Sequence, residues 1–153
     1  MSQELKLPWR HTSVGIIDDK VEWRRTVRSM VLSFGVTEVV EASDGSDFLK
    51  KMNKQDCDLS LLLVDDDMHP MDGFVFMYNL RAKAAEPLRR VVSILMAGQY
   101  NAEIGKHALD VGYNNVLSKP FSARELENFA QKTLMCPVQW KEDGGILRPV
   151  AIA

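Results

Sequence analysis

One pattern constrains this chain more than any other. Short β-branched apolar runs alternate with helix-periodic segments five times over. The first run, SVGII at 13–17, is short and ends on a carboxylate, so it reads as a buried strand. In 21–34, Trp23, Val27, Met30, Val31 and Phe34 recur at helical spacing with Arg24, Arg25 and Arg28 between them, and Gly35 supplies a stop. The alternation then repeats. Further strands are predicted at 37–42, 59–64, 91–97 and 115–118, and further helices at 43–52, 73–81, 101–112 and 123–134. LSLLLV at 59–64 is apolar on both faces, as a central strand requires. Ser122 and Glu125 stand at capping-box spacing before the last helix. Strands and helices in strict alternation imply an α/β fold, a doubly wound parallel sheet with helices on both faces and right-handed crossovers.

With 153 residues, 46% of them hydrophobic, the chain can bury the core of one full domain. A formal net charge of −2 gives no field for general nucleic-acid or membrane binding. The opening MSQELKLPWRHTS has no apolar core, so it does not read as a signal peptide, and no apolar run is long enough to span a bilayer. Cys57 and Cys136 lie far apart in no metal-ligand spacing, which fits a reducing compartment. A soluble, cytoplasmic protein with no membrane association is the expectation. Residues 1–12 and 136–153 fall outside the repeat. The expected organisation is therefore an N-terminal extension (1–12), a domain (13–135) and a C-terminal tail (136–153). The tail carries Trp140, Gly144, Gly145 and Pro149, and is expected either to stay flexible or to pack on the domain. It has no room for a helix-turn-helix segment, so direct DNA binding is not expected.

The acidic residues fall at strand ends. Asp18 and Asp19 close the first strand, Asp65, Asp66 and Asp67 close the third, and Lys119 follows the fifth. Ligand sites in open parallel sheets form at the carboxyl ends of strands. If the first and third strands are neighbours, both clusters enter one cleft. Several carboxylates cannot stay ionised together without a cation. A donor set of oxygens with no His or Cys suits Mg²⁺. Beside such a metal and a lysine, a carboxylate can act as nucleophile toward phosphorus and form an aspartyl phosphate.

The segments IIDD, LLVDDDMHPMDG, the fourth strand and SKPF, in this order, resemble the receiver domains of two-component response regulators, in particular stand-alone, chemotaxis-regulator-like ones. The resemblance spans residues 13–134. It implies a flavodoxin-like sheet of five parallel strands in the order 2-1-3-4-5. It implies that Asp65 is the phosphoacceptor and Lys119 the phosphate-binding lysine. Asp19 would be the direct Mg²⁺ ligand, Asp18 a ligand acting mostly through water, and Asp67 a ligand through its backbone carbonyl. Asp66 is expected to point away from the metal. Pro120 is a cis-proline candidate, and Asp72-Gly73 would open the third helix. The implied donor is a histidine kinase or histidine phosphotransfer protein. The implied output is a downstream protein bound through the helix 4–strand 5–helix 5 face, with no enzymatic turnover beyond slow self-dephosphorylation.

Two switch positions depart from the family pattern. Ala97 stands where a Thr or Ser is usual, and Val116 where an aromatic is common. Ser93 is too early in its strand to replace the hydroxyl, whereas Tyr100 is a candidate replacement for the aromatic. Pro70 is displaced by one residue, with His69 before it. These departures motivate an alternative, an adaptor of receiver fold whose partner binding is largely independent of phosphorylation. VDDDM also reads as the Asp-x-Asp nucleophile of haloacid-dehalogenase-type phosphatases, with Asp67 as general acid. The acidic pair lies on the wrong side of the nucleophile strand for that family, and there is little room for a cap. Arg24, Arg25 and Arg28 would form a basic patch with Arg89 and Arg90 if those surfaces met.

Overall fold

The computed structural model describes residues 7–54 and 58–151. Cys57 lies outside the described residues, and Cys136 is an exposed free thiol. The elements are β1 (Ser13–Ile17), α1 (Val21–Ser33), β2 (Glu38–Ala42), α2 (Gly45–Lys54), β3 (Leu61–Asp65), α3 (Gly73–Lys83), β4 (Val92–Ala97), α4 (Ala102–Val111), β5 (Asn115–Ser118), α5 (Ala123–Met135), β6 (Val138–Asp143) and β7 (Ile146–Ala151). β1 to β5 form one parallel sheet in the order β2-β1-β3-β4-β5.

Side-chain alternation along the strands builds two cores. Leu61 and Leu63 of β3 join Val14, Ile16, Ile94 and Met96 against Val27 and Val31 of α1 and Leu126 and Ala130 of α5. Leu62 and Val64 face the other way, with Ile17 and Leu95, against Phe48 of α2, Phe76, Met77 and Leu80 of α3, and Ala108 and Val111 of α4. The sheet is thus covered on both faces, and β3 is buried at all five positions. Full burial of each such aliphatic side chain contributes about 1.5–3 kcal/mol.

Local chemistry sets the helix ends. Asp72 accepts from the Phe74 and Val75 amides at 3.0 and 2.9 Å, satisfying donors that α3 leaves free. Asn101 caps α4 through the Ile104 amide, and Ser122 caps α5 through the Glu125 amide. Gly112 stops α4 at φ 114°, in the left-handed region. The third strand begins later and ends later than its apolar run suggests. It takes in Asp65, whose register partner is Met96. Residue 60 lies outside it, although its amide still reaches the Ser13 carbonyl at 2.9 Å.

The tail is ordered and packed. β6 and β7 pair as an antiparallel hairpin. Its two-residue turn is Gly144-Gly145, both at positive φ, 61° and 82°, as a twist-matched type I′ hairpin demands. β7 packs on α3 and α4, and Ile146 and Leu147 are buried. At the other end of the chain, Trp9 is buried against Phe34 with ring centroids 5.5 Å apart.

Candidate functional site

Because β1 and β3 are hydrogen-bonded neighbours, with Ile17 opposite Val64, their carboxyl ends deliver the acidic residues to one place. Asp65 is the last residue of β3, and its side chain is 0% exposed. β5 ends at Ser118 opposite Ala97, and the next residue, Lys119, donates its amide to the Ala97 carbonyl at 2.8 Å. The Lys119 ammonium thereby reaches Asp65 Oδ1 in a direct ion pair and lies 3.9 Å from Asp66 Oδ1. The Lys119–Pro120 bond is cis, as are His69–Pro70 and Glu86–Pro87.

Asp18, Asp19 and Asp65 each offer an oxygen within 4.8 Å of the others. Asp18 is fully buried; its Oδ1 accepts from the Lys20 amide at 2.9 Å, and its Oδ2 has no partner among the described residues. Burial pushes the Asp18 pKa up from 3.8 to about 6; the Lys20 amide opposes the rise and the Asp65 charge adds to it. Asp19 is pushed up by its own burial, but bonds from the Lys20 ammonium and the His69 amide outweigh that and hold it below the ordinary value. Asp67 is exposed, and its backbone carbonyl faces the cluster, accepting from Lys20 Nζ at 2.8 Å. Three carboxylates, one of them with an orphaned buried oxygen, and one carbonyl make a donor set that fits a hard divalent cation such as Mg²⁺.

Two residues make contacts here that were not read from the sequence. Lys20 places its ammonium 3.2 Å from Asp19 Oδ1, 3.2 Å from Asp65 Oδ2 and 2.8 Å from the Asp67 carbonyl. Desolvation alone would lower its pKa, but the Asp65 and Asp19 bonds raise it above the ordinary lysine value. A lysine directly after two aspartates is the only signal the sequence offered. The second is Asp66, expected to point away from the metal. Its Oδ2 accepts from the Gly98 amide at 3.1 Å, tying the β4–α4 connection to the loop after β3. Gly73 closes that loop against the Asp65 carbonyl, where an added Cβ would come within 2.4 Å of the oxygen. Tyr113, fully buried, donates its hydroxyl to the Gly73 carbonyl at 2.7 Å.

The switch positions lie close by. Ala97 is buried at the end of β4, one residue past Met96, and Val116 is half-buried on β5 opposite Leu95. Ser93 sits at the far end of β4 opposite Leu62, and donates to the Val91 carbonyl at 3.0 Å. Tyr100 is 59% exposed in the β4–α4 connection, and His69 is exposed. His107 stacks on Phe74 at 4.3 Å, joining α3 and α4. The arginines do not form a shared patch. Arg24 and Arg28 pair with Glu41 of β2 at 3.5 and 3.2 Å, while Arg89 and Arg90, before β4, pair with Glu142 and Glu86.

Comparison with known proteins agrees with this geometry. Residues 14–131 match the family model described as the response regulator receiver domain. The chemotaxis protein CheY-3 of Vibrio cholerae is 28% identical over 123 residues, which is 80% of this chain and 92% of that protein. The solved structure of chemotaxis protein CheY4 of Vibrio cholerae superposes with a TM-score of 0.71 at 24% identity, covering 80% of this chain and 98% of that one. The CheX–CheY–BeF3–Mg complex of Borrelia burgdorferi contains a chain of the same fold, with a TM-score of 0.72 at 19% identity over 81% of this chain and 90% of that one. The chain belongs to the response regulator receiver domain family.

Proposed function

We propose that Asp65 accepts a phosphoryl group in a Mg²⁺-dependent reaction, and that the chain is a cytoplasmic phosphorelay receiver that signals through protein–protein contacts. The observation that carries this reading is the setting of Asp65. Its carboxylate is buried at a strand end, ion-paired to Lys119 and within 4.8 Å of oxygens of Asp18 and Asp19. The donor is a phosphohistidine on a histidine kinase or histidine phosphotransfer protein. An Asp65 oxygen forms the new bond to phosphorus, the phosphorus–nitrogen bond breaks, and the imidazole leaves with that electron pair. Bound Mg²⁺ supplies charge neutralisation for the phosphoryl oxygens. Asp18, Asp19, Asp65 and the Asp67 carbonyl would hold it. Lys119 neutralises a further phosphoryl oxygen, which requires its ammonium to leave the bare Asp65 carboxylate for the phosphoryl group. Residues 13–135 are the receiver, and the α4–β5–α5 face is the output surface. No DNA contact and no turnover beyond slow self-dephosphorylation are part of this reading. Beryllofluoride, a phosphoryl mimic, tests it. Fluorine NMR with excess Mg²⁺ is expected to show a bound adduct in the wild type and none in Asp65→Ala; no adduct in folded wild type counts against the proposal.

A second reading is favoured by one observation. Ala97 has no hydroxyl to meet a phosphoryl oxygen, and the Asp66–Gly98 bond already ties the adjoining connection to the acceptor loop. In an adaptor whose output is independent of phosphorylation, partner affinity is the same for wild type and Asp65→Asn under phosphorylating conditions. In a phosphorylation switch the two differ.

A further inference from the structure

Lys20 is the N-cap residue of α1, and its backbone amide is held by Asp18 Oδ1 at 2.9 Å. From this anchor its side chain enters the acidic cluster. An ammonium has three N–H donors. All three have an acceptor here: Asp19 Oδ1, Asp65 Oδ2 and the Asp67 carbonyl oxygen, at 3.2, 3.2 and 2.8 Å. These atoms belong to the same oxygen set that would hold the divalent cation. Two cations cannot share them.

We propose that Lys20 is a tethered competitor of Mg²⁺, whose ammonium fills the cation position of the acceptor site and must withdraw before the metal binds. The inference rests on the reading of Asp65 as a phosphoacceptor. Lys20 is well placed for this role. Its side chain is 52% exposed, so it can swing to solvent without disturbing the core. With Lys119 on Oδ1 and Lys20 on Oδ2, Asp65 is covered by two ammonium groups and its side chain is wholly shielded from solvent. Withdrawal of Lys20 frees the metal ligands, Asp65 Oδ2 among them. The device compensates the carboxylates when Mg²⁺ is scarce and raises the Mg²⁺ concentration at which the site becomes receptive.

The test uses the full chain, with Lys20→Met and Lys20→Gln, which keep most of the side chain's reach and the backbone bond to Asp18 but remove the charge. Mg²⁺ titration by calorimetry at fixed monovalent salt is expected to give Kd values roughly tenfold or more tighter in both variants. Thermal unfolding without metal is expected to fall to lower temperature in both variants, with the difference closing at saturating Mg²⁺. Equal or weaker Mg²⁺ binding by a folded variant overturns the proposal. So does tighter binding with unchanged metal-free melting, because the lysine would then act only through its distant field. If neither wild type nor variants bind Mg²⁺ while folded, the phosphoacceptor reading falls as well. The beryllofluoride comparison with Asp65→Ala judges that reading separately.

Discussion

Asp65, Asp66 and Asp67 are consecutive, yet they meet three different environments. Asp65 is buried between two ammonium groups, Asp66 anchors the Gly98 amide, and Asp67 leaves its carboxylate exposed while its carbonyl meets Lys20. Removing the Asp66 anchor should loosen the β4–α4 connection. Asp66→Ala is expected to speed hydrogen exchange at the Gly98 amide and lower stability by about 1–3 kcal/mol, as loss of a charged acceptor does; unchanged exchange there would remove Asp66 from the account. Asp18 gives a pH signature. Its folded pKa, about 6, lies above its ordinary 3.8, so the metal-free native state binds the proton more tightly. Protonation of Asp18 therefore stabilises the metal-free fold as pH falls from 6 toward 4, and that contribution is lost as pH rises through 6. Asp18→Asn should raise metal-free stability at pH 7 by an amount of order 1–3 kcal/mol, with the gain shrinking toward pH 4 in denaturant titrations. The positions of the three aspartates and Lys119 were legible because strand ends can be read from apolar runs. Lys20 was not, because a lysine at a helix start reads as a solvated cap until the fold brings the loop after β3 over it.

At the level of elements, the hairpin and α3 explain each other. Arg81, near the end of α3, is fully buried and forms no salt bridge among the described residues. Its guanidinium donates to the carbonyls of Gly112, Arg89 and Val91 at 2.9, 2.8 and 2.8 Å and to Asn114 Oδ1 at 3.2 Å. It thus pins α3 to the start of β4 and the turn before β5. Burial pushes its pKa down to about 9, so it stays charged at neutral pH. Trp140 of β6 lies over it, 4.6 Å from ring centroid to guanidinium carbon. Gly112 is required twice, for its positive φ and because a Cβ there would meet Arg81 Cγ at 2.5 Å. Arg81→Ala should reduce unfolding free energy by about 3 kcal/mol or more in urea titrations, since it strands several buried carbonyls. Trp140→Ala should cost less, about 1–2 kcal/mol. If the two rank the other way, the hairpin's apolar cover outweighs the guanidinium network. The Gly144-Gly145 turn was visible in the sequence. The pairing of β6 and β7 was not, because VQWKED shows no clean apolar alternation and its one large anchor, Trp140, finds Arg81, far back in the sequence.

For the whole molecule, strand order decides where chemistry happens. The sheet order puts β1, β3 and β5 ends on one edge, and the acidic cluster and Lys119 follow from that. The hairpin meets the domain near the entrance to β4 and β5, through Arg89 and Arg81. Fold and site edge were readable because alternating elements admit few topologies. Which oxygens a cation would touch, and which ammonium competes for them, depended on side-chain directions that periodicity does not encode. Intact-mass spectrometry after incubation with Mg²⁺ and a small acyl phosphate addresses the central claim most directly. A single added phosphoryl group on the wild type, absent from Asp65→Asn and absent when the metal is chelated, is the predicted result. No adduct on folded, Mg²⁺-saturated wild type, or an equal adduct on Asp65→Asn, would contradict it.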